Sequence, residues 1–253
     1  MRYYLGIDDT DNTQGKLGTG KLARWLEGSL PQECSLWGVV RQQLNRDPSI
    51  PYTSHNSAAC VVIQGPEGIL ERLIQVATQH LLAHSLPGSD PGLCAAEENE
   101  PRLAELLDFG AKCSNRISSQ QEAMRVCGSR VHLSGHGGTN DGIIGAAACV
   151  GLTYSGWHGR FIEFGKLREI GSTVKVKDLA AMDILVTSLE RDAEMPDPED
   201  TVETNDWCRP RLWGDKPVLP LLRGRNGSWT SLGQKRNKAH GTITTETGET
   251  ASN

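Results

Sequence analysis

Apolar and polar positions alternate along this chain with two periods, and the switches between them divide it into short strands and helices. Tyr4-Leu5-Gly6-Ile7 is an apolar run that breaks into Asp8-Asp9-Thr10-Asp11, which predicts a buried strand ending at a polar site. From Lys21 to Leu30, Leu22, Trp25, Leu26 and Leu30 recur at helical spacing, with Trp25 expected in the core. Ser35 to Arg41 and Ser57 to Ile63 are rich in β-branched and small residues and predict strands, the second fully buried. Gly65 to His84 predicts a long amphipathic helix. His80 and His84 stand four apart on it, a spacing metals accept, but no third ligand accompanies them and they read as surface or packing residues.

The proline, glycine and acidic residues of Leu86 to Asn99 predict a loop. Shorter helices are expected at Leu103 to Phe109 and Gln120 to Val126, a short strand at Val131 to Leu133, and a helix beginning near Gly142. Phe161 to Phe164 alternates and predicts an outer strand. Glu190 to Asp206 reads as an exposed acidic connection, and the prolines of the Pro217 to Arg225 strand argue against a central place. Gly241 to Asn253, nearly all Thr, Glu, Gly and Ser, is expected to be disordered.

Composition narrows the class. The 253 residues are 37% hydrophobic and 23% charged, ordinary for a globular protein with one large or two small domains. Formal net charge is −5, which weighs against a chain that binds nucleic acid over its whole surface and leaves room for a local basic patch. Seven cysteines form no C-x-x-C pair, which predicts reduced, mostly buried thiols and a cytoplasmic location. No stretch approaches the roughly 20 apolar residues of a membrane span.

The chemistry gathers at the end of the first strand. Asp8, Asp9 and Asp11 offer hard oxygen ligands of the kind that hold Mg²⁺ together with substrate phosphates. Close behind, Gly15, Gly18 and Gly20 permit near approach of backbone N–H groups to an anion, and Lys21 adds positive charge at a helix start. Together these describe an Mg-nucleotide pocket. The same residues also suit a turn followed by a helix start, and the spacing matches neither a Walker A loop nor a dinucleotide fingerprint. A second glycine-rich stretch, Ser134 to Gly145, precedes the helix at Gly142. Gly137, Gly138 and Gly142 suggest another backbone cradle, with His136 and Asn140 as its polar groups and Asp141 as a helix cap.

Gly6-Ile7-Asp8-Asp9-Thr10-Asp11 with Gly15 and Thr19, then Ile50 to Ala59, Gly142 to Ala148, Met182-Asp183 and Lys216 to Gly224, together resemble the archaeal isoleucine-tRNA agmatinylcytidine synthetase family. The resemblance implies an α/β (α+β) fold: a kinase-like mixed-sheet domain over 1–170, a ferredoxin-like lobe over 171–235, and a polar tail over 236–253. It implies a catalytic set of Asp8, Asp9, Asp11 and Thr19, the threonine itself becoming phosphorylated. It further implies phosphate or substrate contacts from Arg41, Asn45 and Arg46, and hydrogen bonds from His55 and Asn56. The activity implied is ATP-dependent phosphorylation of a pyrimidine carbonyl, then attack by an amine. The family's OB-fold and zinc ribbon have no counterpart among the matching segments. The expected acceptor is therefore a small molecule or an RNA presented by another chain, with homo-oligomerisation left open. A non-catalytic nucleotide-binding or RNA-associated module is the alternative.

Overall fold

The computed structural model describes residues 1–12, 17–50, 52–53, 55–192, 194–224 and 227–233. The expectations for Gly15, Arg225 and the 236–253 tail lie outside those residues. In chain order the elements are β1 (Arg2–Asp8), α1 (Thr19–Trp25), β2 (Ser35–Gln43), β3 (Ser57–Gln64), α2 (Leu70–His84), β4 (Gly92–Glu97), α3 (Leu103–Cys113), α4 (Gln120–Cys127), β5 (His132–Gly135) and α5 (Gly142–Tyr154). There follow β6 (Arg160–Glu163), β7 (Thr173–Lys175), α6 (Val176–Ala180), β8 (Leu185–Ser188), β9 (Thr201–Glu203), β10 (Arg211–Trp213), β11 (Lys216–Arg223) and β12 (Trp229–Ser231).

One mixed sheet runs β5-β4-β1-β3-β2-β6-β10-β11-β12-β9-β7, with β8 parallel to β11. Strand β1 lies antiparallel between β3 and β4. Its middle five residues are all buried, because helices cover both faces. Tyr4, Cys60 and Val62 turn toward α3, α4 and α5 in one core, while Tyr3, Leu5, Ile7, Val39 and Val61 turn toward α1 and α2 in another. A third core of Val40, Phe161, Leu212, Leu219, Leu221 and Trp229 lies across the second half of the sheet.

Helix α5 is buried along nearly its whole length. Small residues allow it to press on the sheet: a Cβ at Gly6 would fall 2.2 Å from the Ala146 carbonyl oxygen.

Several expectations change. Leu86 to Asn99 contains β4, whose Gly92 to Ala96 are buried. Its apolar core is only four residues long between turn residues, and that context masked it. Strand β6 is internal, joining β2 to β10, and its alternation comes from facing α1 on one side and the third core on the other. Strand β11 is central despite Pro217 and Pro220, with β8 on one edge and β10 and β12 on the other. The acidic connection includes β9, with Val202 fully buried. The helix expected from Gly65 begins at Leu70. Trp25 is 45% exposed and carries the Lys21 ammonium 4.8 Å from its ring centroid. All seven cysteines are free, and all but Cys34 are buried.

Candidate active site

The end of β1, the start of β3 and the N-terminal turns of α1 and α5 meet at one margin of the sheet. They enclose a cleft of about 790 Å³ lined by Asp8, Asp9, Asp11, Gly18, Thr19, Gly20, Arg41, His55, Asn56 and Gly142, along with residues not anticipated as ligands. Ten of the expected site residues therefore converge here.

Asp8 ends the strand with its carboxylate laid over the first turn of α5, where a Cβ at Gly145 would fall 1.8 Å from Asp8 Oδ2. Asp9 then takes a positive φ of 52°, a left-handed conformation Asp tolerates better than most residues. This turns the chain into the cleft and brings Asp9 and Asp11 beside Asp8. Burial, then the neighbouring Asp9 carboxylate, pushes the Asp8 carboxyl up to about 7. Burial, then Asp90, Asp11 and Asp141, pushes Asp9 up to about 6, and burial also raises Asp11. Among the described residues no Lys or Arg forms an ion pair with these three acids. The Thr53 hydroxyl donates to Asp11 at 3.4 Å.

Thr19 opens α1 and is buried, its Oγ1 accepting from the Thr10 N–H at 3.3 Å and the Thr10 hydroxyl at 3.2 Å. These bonds tie the acidic turn to the helix start. Gly18 stands at the N-cap without a side-chain cap, leaving donors of the first turn available to an anion. A Cβ there would sit 3.4 Å from Asp11 Oδ2, so the glycine segment and the acids share one wall. Across the cleft, Arg41 is half-buried with its ionisation weakened, first by burial and then by Arg160 and Arg46. Asn56 spans to the Asn45 carbonyl oxygen at 2.7 Å.

Other expected residues lie elsewhere. Lys21 turns to Trp25; Asn45 donates its N–H to the Cys113 carbonyl oxygen, and neither Asn45 nor Arg46 lines the cleft. His136, Gly137, Gly138 and Asn140 also stand outside the lining. The reason is Asp90, which accepts from the Thr139 N–H at 3.0 Å and its hydroxyl at 2.6 Å. That side chain fills the concavity at Gly138, where a Cβ would collide with Asp90 Oδ1. His136 instead meets the Ser134 hydroxyl at 2.8 Å. Asp141 makes no side-chain cap and accepts from Gln120 at 2.6 Å. Gly145, Asp90, Arg116 and Tyr52 border the cleft and were not singled out. Gly145, inside the Gly142-Ile143-Ile144-Gly145 segment, and Tyr52, inside the Ile50 to Ala59 segment, carried a signal in the sequence.

Asp8, Asp9 and Asp11 are hard oxygen donors of the chemical kind a divalent cation takes, and no basic group among the described residues is paired to relieve their mutual repulsion. Among the described residues no three His, Cys, Asp or Glu side chains stand close enough together to hold a metal ion.

No family model matches the chain. Among curated proteins it is 30% identical over 165 residues to TiaS of Pyrobaculum neutrophilum, a 2-agmatinylcytidine synthetase acting on an isoleucine tRNA, covering 61% of this chain and 36% of that protein. Among solved structures it resembles apo TiaS, an isoleucine-tRNA agmatidine synthetase, with a TM-score of 0.51 and 25% identity over 60% of this chain and 35% of that one. The complex of TiaS with its isoleucine tRNA and ATP gives a TM-score of 0.51 and 26% identity, over 60% of this chain and 36% of that one. The resemblance to the agmatinylcytidine synthetase family is thus borne out in sequence and in fold. The chain spans just over a third of the length of these relatives.

Proposed function

We propose that this chain is an ATP-dependent, RNA-modifying ligase of the agmatinylcytidine synthetase type, with its chemistry in the cleft at the end of β1. The observation that carries this reading is the meeting of Asp8, Asp9 and Asp11 with the uncapped start of α1 in one cavity. A relative solved with an isoleucine tRNA and ATP, and a curated relative named for agmatinylcytidine synthesis, supply the class of substrate.

In this reading Asp8, Asp9 and Asp11 hold Mg²⁺, which when bound neutralises charge on the triphosphate. Gly18 to Gly20 receive phosphate oxygens through backbone N–H groups, and Arg41 faces the acceptor side with a half-desolvated positive charge. An acceptor carbonyl oxygen takes a phosphoryl group from ATP as the bond to the nucleotide leaving group breaks. Phosphorylation turns a poor leaving group into a good one: an amine attacks the carbonyl carbon, phosphate departs with the former carbonyl oxygen, and the amine releases a proton to solvent. Such a site works chiefly by positioning and charge compensation. Thr19, at the cleft wall, is the residue assigned to transient phosphorylation.

The test is ATP consumption by the purified chain with Mg²⁺, agmatine and an unmodified isoleucine tRNA, alongside Asp8→Asn. Product that requires ATP and is lost in Asp8→Asn supports the reading. ATP binding without turnover in any arm would instead favour a non-catalytic nucleotide-binding module.

A further inference from the structure

The row of side chains that crosses the sheet at the cleft does not end there. Ile7 pairs with Ala59, Ala59 with Arg41, Arg41 with Arg160, and Arg160 with Arg211. Partners in register project to the same face, so three arginines stand side by side on β2, β6 and β10. They continue the floor on which Arg41 and Ala59 line the cleft. Like charges directly opposite one another across strands are destabilising. Among the described residues none of the three forms an ion pair that would offset this, and Arg46 adds a further positive charge near Arg41. For two of them ionisation is weakened, first by burial and then by a neighbouring arginine: Arg41 by Arg160, and Arg160 by Arg211. Guanidinium groups without an acidic partner are the residues of choice for phosphate, and Arg160 at the middle of the row is exposed to receive it.

The length of the row separates a phosphate chain from a single phosphate group. At about 4.8 Å between strands, Arg41 to Arg211 spans roughly 10 Å, and Arg160 and Arg211 lie outside the cleft lining. Aromatic rings accompany its far end. Arg211 lies 5.6 Å from the Trp213 ring centroid, and Trp157, 63% exposed, reaches toward Gly214 next to it. Cationic side chains interleaved with open aromatic faces suit a single-stranded nucleic acid, its phosphates on the arginines and its bases on the rings.

We propose that Arg41, Arg160 and Arg211 form a track for the phosphodiester backbone of single-stranded RNA and lead the acceptor nucleotide into the cleft. The proposal deepens the ligase reading, on which it rests for its choice of RNA.

The test uses the full chain and fluorescein-labelled oligocytidine RNA, with binding followed by anisotropy across roughly 50 to 200 mM salt. In Arg160→Ala/Arg211→Ala the slope of log affinity against log salt should shrink by about 1.4, two single-strand phosphate contacts, with at least about a tenfold loss of affinity at the low-salt end. ATP affinity, measured by calorimetry, should stay within about twofold, since the ATP phosphates lie at the other wall. Relief of repulsion should leave the melting temperature level or higher, and Arg160→Lys/Arg211→Lys should recover most of the slope. Unchanged RNA affinity and slope in the alanine pair, no RNA binding by the unaltered chain, or a matching fall in ATP affinity would each overturn the track. Asp8→Asn separates the two readings: lost ATP binding with an intact arginine effect leaves both standing, while RNA binding that depends on the arginines in a chain that never binds ATP sinks only the ligase.

Discussion

Gly145→Ala probes the site through one added methyl group. A Cβ at this position falls 1.8 Å from Asp8 Oδ2, 2.6 Å from its Cγ and 3.1 Å from its Cβ, whereas ordinary contact begins near 3.4 Å. Asp8 is fixed at the end of a strand paired on both sides, so its side chain must swing away from α5. Stability should fall by no more than about 2 kcal/mol, because alanine in a helix gains about 1 kcal/mol over glycine while overpacking costs about 1–3 kcal/mol. Activity should change a great deal. A displacement of about 1 Å in a positioning group can cost on the order of a hundredfold, and the carboxylate has to retreat at least that far. The assay pairs a thermal melt with ATP turnover. The expected result is a melting temperature within a few degrees of the unaltered chain and turnover down by about two orders of magnitude. Gly6→Ala is the contrast, since its Cβ would strike the Ala146 carbonyl oxygen at 2.2 Å and backbone cannot swing aside, so folding itself should suffer. Turnover within about twofold in a well-folded Gly145→Ala would refute the placing of Asp8 at the centre of the chemistry.

Metal-free protein should lose stability as pH rises from about 4 to about 7. Folded Asp8 keeps its proton to about 7 while the unfolded chain releases it near 3.8, so deprotonation favours unfolding across that window. The difference in melting temperature between the unaltered chain and Asp8→Asn isolates this group, and a difference that does not vary with pH would contradict it. Asp90→Ala removes the acceptor for both Thr139 donors, which are open to water, and should destabilise by about 0.5–1.5 kcal/mol, readable by urea denaturation. Thr19→Ala strips the partner of Thr10 inside the protein and should cost about 1–2 kcal/mol. Mass spectrometry after incubation with Mg-ATP should find phosphate on Thr19 in the unaltered chain, and modification solely elsewhere would remove its assigned role.

The elements legible in the sequence are those whose pattern is local. The apolar run into Asp8 and the buried run at Ser57 to Ile63 announce β1 and β3, and the helical spacing of Leu73, Ile74, Ala77 and Leu81 announces α2. The ones misread owe their place to distant partners. Strand β4 is too short between Pro91 and Glu98 to stand out, and Pro217 and Pro220 are tolerated in β11 where three other strands find enough of its remaining backbone to pair. At the site, the acids and the Gly18 to Gly20 turn were visible because one strand and one helix start place them. The Gly137 loop looked like a matching cradle until Asp90, 48 positions upstream of Gly138, was seen to occupy it. The arginine row was invisible because its members, at 41, 160 and 211, become neighbours only through pairing across three strands.

Strand β6 is four residues long, yet it joins the helix-covered half of the sheet to the rest. Peeling it away would bare the free margins of β2 and β10 together, each a ready template for another chain. Resistance of this molecule to self-association is therefore tied to its narrowest seam, where Phe161 of the same strand also pins the third core, so that opening the one loosens the other.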